Sequence, residues 1–214
     1  MKTIIFDLDG TLLDSLTDLA ASTNHALKQY NYPCHTIDEI RLMVGNGVAK
    51  LIERALPPHH TTEQFEECFA TFKQHYSAHC LDNTKPYPQI IQLLKTLHLH
   101  GIAAAIVTNK LQSAANCLTE QFFKPYISVT LGDCPQYKRK PAPDMLLEAM
   151  KQTHALPTET IYVGDSEVDI QAAKAAQVEC LSALWGFRDK AFLLKHGAKN
   201  FVETPLQIIN YINI

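Results

Sequence analysis

KTIIFDLDGTLLDS, residues 2–15, decides how the rest of the chain is read. Its first five residues, KTIIF, carry three consecutive large apolar side chains instead of an apolar–polar alternation. A short run of that kind suits a strand buried on both faces, as in a parallel sheet covered on both sides by helices. The run stops abruptly at DLDG, an acidic turn containing a glycine. In open parallel sheets ligands gather beyond the carboxyl ends of the strands. Asp7 and Asp9 therefore stand where chemistry is expected.

Working outward, further strand patterns fall at residues 102–107 (IAAAIV), 127–131 (ISVTL), 160–163 (TIYV) and 178–181 (VECL). Helical periodicity separates them at 89–99, 111–121, 142–153 and 168–176. Strand and helix alternating at this spacing argue for βαβ units and a doubly wound, Rossmann-like α/β core. Residues 15–80 break the alternation. Leu16, Leu19, Thr23, Ala26, Leu27 and Tyr30 share one helical face, and further helical pieces follow at 37–44, 48–56 and 63–79. The turn signals there are Gly45-Asn46-Gly47 and Pro57-Pro58. This segment reads as an α-helical cap inserted after the first strand, returning through NTKPYP at 83–88. The expected division is a discontinuous core of residues 1–14 and 84–214 and a cap of residues 15–83.

The composition restricts the function. With 46% hydrophobic and 19% charged residues the chain matches an ordinary globular protein. A net charge of −3 and the absence of a Lys/Arg-rich tract argue against nucleic acid and membrane-surface partners. The longest apolar stretch, 102–107, cannot span a bilayer, and Asp7 and Asp9 interrupt the apolar start, so no signal-peptide core is read there. The six cysteines are scattered without a C-x-x-C pair and the ten histidines lack ligand spacing. Reduced thiols, a cytoplasmic location and no zinc site are the expectations. No heptad or broad apolar stripe indicates the oligomeric state, and monomer and dimer stay open.

Applying the strand-end rule along the chain collects Asp7, Asp9 and Thr11 after the first strand, Thr108 and Asn109 after the second, and Gly164, Asp165 and Asp169 after the fourth. Lys140 precedes a helix start at Pro141-Ala142-Pro143; Lys138, two residues earlier, is the competing choice. Carboxylates converging without thiolates or imidazoles suit a hard cation, and Mg2+ is held by few carboxylates together with substrate phosphate oxygens. Asp7 and Asp9, one residue apart on extended chain, project the same way, so one can attack while the other handles a proton. Phosphate-monoester hydrolysis is among the slowest uncatalysed reactions, and a covalent aspartyl-phosphate divides it into two easier steps. Thr108, Lys140, Asn109 and Gly10 are the candidates for holding the phosphoryl oxygens.

FDLDGTLLDS, Thr108, Lys140 in KPAPD, and GDSEVD (164–169) match in order the four signatures of the haloacid dehalogenase superfamily, which this chain resembles over nearly its whole length. The resemblance implies a Rossmann-like core with a helical cap. It also implies Asp7 as nucleophile, Asp9 as general acid/base, and Mg2+ held by the Asp7 carboxylate, the Asp9 carbonyl and Asp165, with Asp169 and Thr11 in support. Dehalogenases and phosphonate hydrolases of that superfamily lack an acid at the position of Asp9, so its presence favours phosphoryl transfer. The segments SLTDLAASTNHAL and RLMVGNGVAKLIERAL resemble the phosphoglycolate phosphatase branch. The implied substrate is a small phosphorylated metabolite. A β-phosphoglucomutase-like transferase, a pyrophosphatase or nucleotidase of the same superfamily, and a non-catalytic binding module are the alternatives. In the cap, Asn46, Arg41 and Arg54 are the candidates for substrate contact, arginine suiting a carboxylate.

Overall fold

The computed structural model describes residues 3–212. Residue 2, placed above in the first strand, lies outside them. The chain runs β1 (Thr3–Phe6), β2 (Leu13–Asp14), α1 (Leu16–Gln29), α2 (Ile37–Met43), α3 (Val48–Ala55), α4 (Thr62–His79), β3 (Lys85–Pro86), α5 (Ile90–Leu99) and β4 (Ala103–Leu111). It continues through α6 (Gln112–Phe122), β5 (Val129–Asp133), α7 (Asp144–Gln152), β6 (Thr160–Gly164), α8 (Glu167–Ala176), β7 (Glu179–Ala183), α9 (Lys190–Lys195) and β8 (Asn200–Val202). A 3-10 turn at Pro205–Tyr211 follows.

Six strands form one parallel sheet in the order β5-β4-β1-β6-β7-β8. Every residue of β1 is buried, because the strand is central and covered on both faces. Ile4 and Phe6 pack into one cluster with Ile90, Leu93 and Leu97 of α5 and Leu118 of α6. Ile5 points the other way, onto Met145 and Ala149 of α7 and Ala172 and Ala173 of α8. This is the doubly wound α/β core that the unalternating KTIIF run implies. The chain leaves β1 towards β4 on one side and later returns to β6 on the other. The crevice at that reversal is where an open α/β sheet binds ligands, and Asp7 stands at it.

Helices α1–α4 enclose a separate apolar cluster of Leu19, Leu27, Ile40, Leu51, Ile52, Phe72 and Tyr76, which also takes in Phe187 from beyond β7. Two of these helices start at threonines whose hydroxyls accept from the third amide onward, Thr36 from Glu39 and Thr61 from Gln64, with the Glu39 and Gln64 side chains reaching back. These reciprocal caps satisfy amides that would otherwise lack partners. The passages into and out of the helical layer are tied together. Residues 13–14 pair antiparallel with 85–86, and the buried Asp18 carboxylate accepts from both backbone amides of Asn83 and Thr84 and from their side chains at 2.7–3.0 Å. All six cysteines are free thiols. No described helix is long and apolar enough to cross a membrane.

Two expectations are corrected, and one stretch of the chain carries elements that were not expected. The second predicted strand does not end at residue 107: β4 runs on to Leu111, with a register irregularity between Val107 and Leu111. Thr108 and Asn109 thus sit within a disturbed strand end. The helix expected from residue 142 begins at Asp144 with Pro143 as its cap. Beyond β7, the sequence reading had no counterpart for α9, β8 and the 3-10 turn.

Candidate active site

Asp7 follows the last residue of β1, its amide bonded to the Val163 carbonyl of β6 at 2.8 Å. One of its carboxylate oxygens accepts from the Leu8 amide at 2.7 Å. The same oxygen lies 2.9 Å from the Lys140 ammonium. Lys140 is wholly enclosed, and also donates to Asp169 (2.7 Å), to the Tyr162 hydroxyl (2.8 Å) and to the Val107 carbonyl (3.2 Å). Lys138 is exposed. Of the two lysines, the structure brings Lys140 to Asp7.

Asp165 begins the β6–α8 turn. Thr11 donates to one of its oxygens at 3.0 Å and the Phe187 amide to the other at 2.7 Å. Asp169, in the first turn of α8, folds back to accept from the Asp165 and Ser166 amides and the Ser166 hydroxyl. It therefore fixes the very turn that presents Asp165. Gly10 lies against Asp165 with φ +81°, and a Cβ there would be 2.3 Å from the carboxylate. Only glycine fits both the left-handed backbone and the close approach.

Carboxylate oxygens of Asp7, Asp165 and Asp169 lie within 4.8 Å of one another, all buried. Burial, together with repulsion from Asp169, pushes Asp7 up to about 7 in spite of the Lys140 ammonium. Burial and the charges of Asp169 and Asp7 push Asp165 up to about 8. Asp169 is buried too, but the Lys140 ammonium and hydrogen bonds from Lys140, Ser166 and Tyr162 hold it below the ordinary carboxylate range. The grouped ligand atoms are all carboxylate oxygens, a donor set for a hard divalent cation, whose charge would offset this crowding.

Asp9 faces a different ammonium. Lys110 lies 2.9 Å from both Asp9 oxygens and 2.6 Å from the Tyr76 hydroxyl of α4, and Ser15 donates to Asp9 at 2.5 Å. Lys110 is buried, which favours its neutral form, yet Asp9 and Tyr76 raise it above an ordinary lysine. The sequence reading missed Lys110. The signal was present, since Thr108 and Lys110 stand two apart on extended chain and project the same way. Asn109, between them, points its amide into the backbone: it donates to the Gly45 and Lys140 carbonyls and accepts from the Lys140 amide.

Asp7, Asp9, Thr108, Asn109, Lys110 and Asp165 line a cavity of ≈ 40 Å³ roofed by Leu19, Val44, Gly45, Gly47, Val48 and Leu51 of the helical layer. That volume holds a few waters or a compact anion. The three cap candidates do not line this cavity. Arg41 is half-exposed and pairs with Asp38 at 3.0 Å. Arg54 donates to the Met43 carbonyl and to the Asn46 side chain, which engages both residues with each other. The GNG turn reaches the cavity through Gly45 and Gly47 instead, at φ +117° and +86°. A second unforeseen residue, Arg188, reaches from the core to the α2 terminus. It donates to the carbonyls of Arg41 (2.6 Å), Leu42 (3.3 Å) and Val44 (2.7 Å), satisfying helix-end acceptors that lack intrahelical partners.

A family profile described as haloacid dehalogenase-like hydrolase matches residues 4–183. The chain is 34% identical over 216 residues to phosphoglycolate phosphatase 1 of Pseudomonas aeruginosa, spanning 98% of this chain and 76% of that one. It is 32% identical over 188 residues to the phosphoglycolate phosphatase of Aquifex aeolicus, spanning 87% and 86%. A crystal structure from Lactobacillus delbrueckii subsp. bulgaricus, assigned by inference as a phosphoglycolate phosphatase, superposes with a TM-score of 0.93 at 32% identity over 99% of both chains. With the doubly wound core, the ordered acidic motifs and these relatives together, the chain belongs to the haloacid dehalogenase-like hydrolase family and is an enzyme of its phosphatase class.

Proposed function

We propose that this enzyme hydrolyses a small phosphate monoester of the phosphoglycolate type, with Mg2+, through a phosphoryl group carried transiently on Asp7. The observation that carries the reading is the buried Asp7–Asp165–Asp169 cluster with Lys140 2.9 Å from Asp7. The donor set fits Mg2+: the Asp7 and Asp165 carboxylates and the Asp9 backbone carbonyl would hold it. When bound, Mg2+ supplies positive charge for the phosphoryl oxygens and keeps Asp7 and Asp165 ionised.

The residues divide the work by position. Asp7 attacks phosphorus and takes the phosphoryl group while the ester oxygen leaves. Asp9 hands that oxygen a proton, then accepts one from the water that attacks the aspartyl-phosphate, so each turnover returns both carboxylates to their starting state. Lys140 neutralises Asp7 and the oxygens it gathers. Thr108 offers a hydroxyl to the phosphoryl group, Gly10 allows close backbone approach, and Asn109 holds the Lys140 backbone in place. Thr11 and Asp169 steady Asp165. Closure of α1–α4 over the cavity keeps bulk water from the acyl phosphate. The expected division between the parts, a core of residues 1–14 and 84–214 and a cap of residues 15–83, is part of this reading.

The cavity's small volume and the names of the relatives support a compact substrate. The test is a Mg2+-dependent phosphate-release screen across phosphoglycolate, sugar phosphates, nucleotides and pyrophosphate, ranked by kcat/KM. Phosphoglycolate or a substrate of similar size should lead. Leadership by a nucleotide would refute the compact-substrate reading, and isomerisation of β-glucose 1-phosphate without phosphate release would favour a transferase.

A further inference from the structure

We propose that Lys110 selects the leaving group, binding a carboxylate carried one or two carbons beyond the ester oxygen of the substrate. This rests on the phosphatase reading above and adds a specificity residue to it.

The site holds two enclosed ammonium groups, and they face different parts of the reaction. Lys140 belongs to the Asp7 side, engaged by Asp7, Asp169 and Tyr162. Lys110 belongs to the Asp9 side, equidistant from both Asp9 oxygens at 2.9 Å. Asp9 is where the ester oxygen departs, so atoms attached to that oxygen come within reach of an ammonium that touches Asp9. Once Asp9 has given its proton to the ester oxygen, a carboxylate on the leaving group would otherwise face the Asp9 carboxylate with nothing between them. Like charges at hydrogen-bond range are strongly unfavourable in an enclosed space. Lys110 supplies the intervening charge.

Much of the remaining wall is apolar or already engaged: Ser166 donates to Asp169, and Asn109 donates to the Gly45 and Lys140 carbonyls. On the roof, Leu19, Val44, Val48 and Leu51 present apolar side chains. The other cation lining the cavity, Arg188, has its guanidinium engaged by the Arg41, Leu42 and Val44 carbonyls and lies 3.7 Å from Glu167. Tyr76 adds a link to closure. Its hydroxyl comes from α4 and accepts from Lys110 at 2.6 Å, so the ammonium is held in place when the helical layer lies over the sheet. A neutral leaving group would leave Lys110 on Asp9 and Tyr76, while a carboxylate shares one of the hydrogens that reach Asp9.

The experiment compares phosphoglycolate with 2-hydroxyethyl phosphate, a neutral ester of nearly the same size, in the Mg2+-loaded full chain. A charged hydrogen bond contributes about 1.5–3 kcal/mol, so the parent should prefer the acid by about 10- to 100-fold in kcat/KM. Lys110→Met should bring the two esters to near equality, whereas Lys110→Arg should keep most of the preference. Glycolate should inhibit the parent competitively and lose that inhibition in Lys110→Met. Lys110→Gln serves as a second neutral variant if the Met form does not melt cooperatively. A Lys110→Met enzyme that slows on both esters by the same factor, with the preference intact, would overturn the assignment and leave Lys110 as a positioning residue for Asp9. A parent without preference would also overturn it. A parent inactive on every ester in the wider screen refutes the phosphatase reading itself.

Discussion

Removing the metal should make this protein less stable as the pH rises from about 5 to about 8.5. Asp7 and Asp165 are raised from 3.8 to about 7 and about 8 in the folded chain. Between those values and 3.8, the folded state keeps protons that the unfolded state has released. Stability therefore falls with rising pH across that window and levels off above it. Asp7 alone, raised from 3.8 to about 7, corresponds to about 4 kcal/mol. In a domain of this size that shifts the midpoint by roughly 10 °C. His75 acts in the opposite sense, since burial and the neighbouring His25 and His79 lower it from 6.5. The interval above pH 6.5 is accordingly the clean one; most of the Asp7 change lies below it, and Asp165 carries most of the fall that remains there. Bound Mg2+ should reverse the trend, because it requires the ionised carboxylates and releases their protons on binding; at a hundredfold excess over Kd it adds about 2.7 kcal/mol. The assay is thermal unfolding with and without EDTA at half-unit pH steps, with Asp165→Asn as control. That variant should show a flatter metal-free curve and little response to Mg2+. A metal-free midpoint that stays level or climbs between pH 6.5 and 8.5 would refute the account of the carboxylate cluster.

Asp18→Ala should cost about 3 kcal/mol, measured as a lower urea midpoint, because it strips the acceptor from the buried Thr84 donors and from the Asn83 side chain. Asp18→Asn, able to accept from only some of them, should fall between. Arg188→Lys keeps the charge but cannot fork onto the Arg41, Leu42 and Val44 carbonyls, so kcat/KM should drop about tenfold with most of the change in KM; an unchanged KM would show that this contact does not govern closure. Gly10→Ala should weaken Mg2+ binding more than it lowers stability, since its Cβ meets Asp165 directly. Calorimetric Mg2+ titration compared with the melting midpoint checks this.

Much of this arrangement was legible in the chain, for a physical reason. A strand buried on both faces needs an unbroken apolar run, and TIIF supplies one whose two faces meet different helix pairs. Residues anchored at strand ends then follow by position, as Asp7 and Asp165 do, with Asp169 in the first turn of the helix after β6. What escaped depended on contacts between distant segments. Lys110 gains its meaning from Asp9 and from Tyr76 on α4, neither of which its neighbours announce. Arg188 follows β7, and the strand-end rule carried one strand further reaches it. Asn46 and Arg54 look free in sequence but bond to each other. β8 and the β2–β3 ribbon have three and two residues per strand, too short for periodicity to register.

The central claim is that Asp7 carries the phosphoryl group. Its most direct test is a rapid-quench single turnover with labelled phosphoglycolate and Mg2+ in acid, followed by peptide mapping. The account predicts transient label on the peptide containing Asp7, at Asp7 itself, and none in Asp7→Asn, which should also be inactive. Label on Asp9, or hydrolysis by Asp7→Asn at the parent rate, would contradict it.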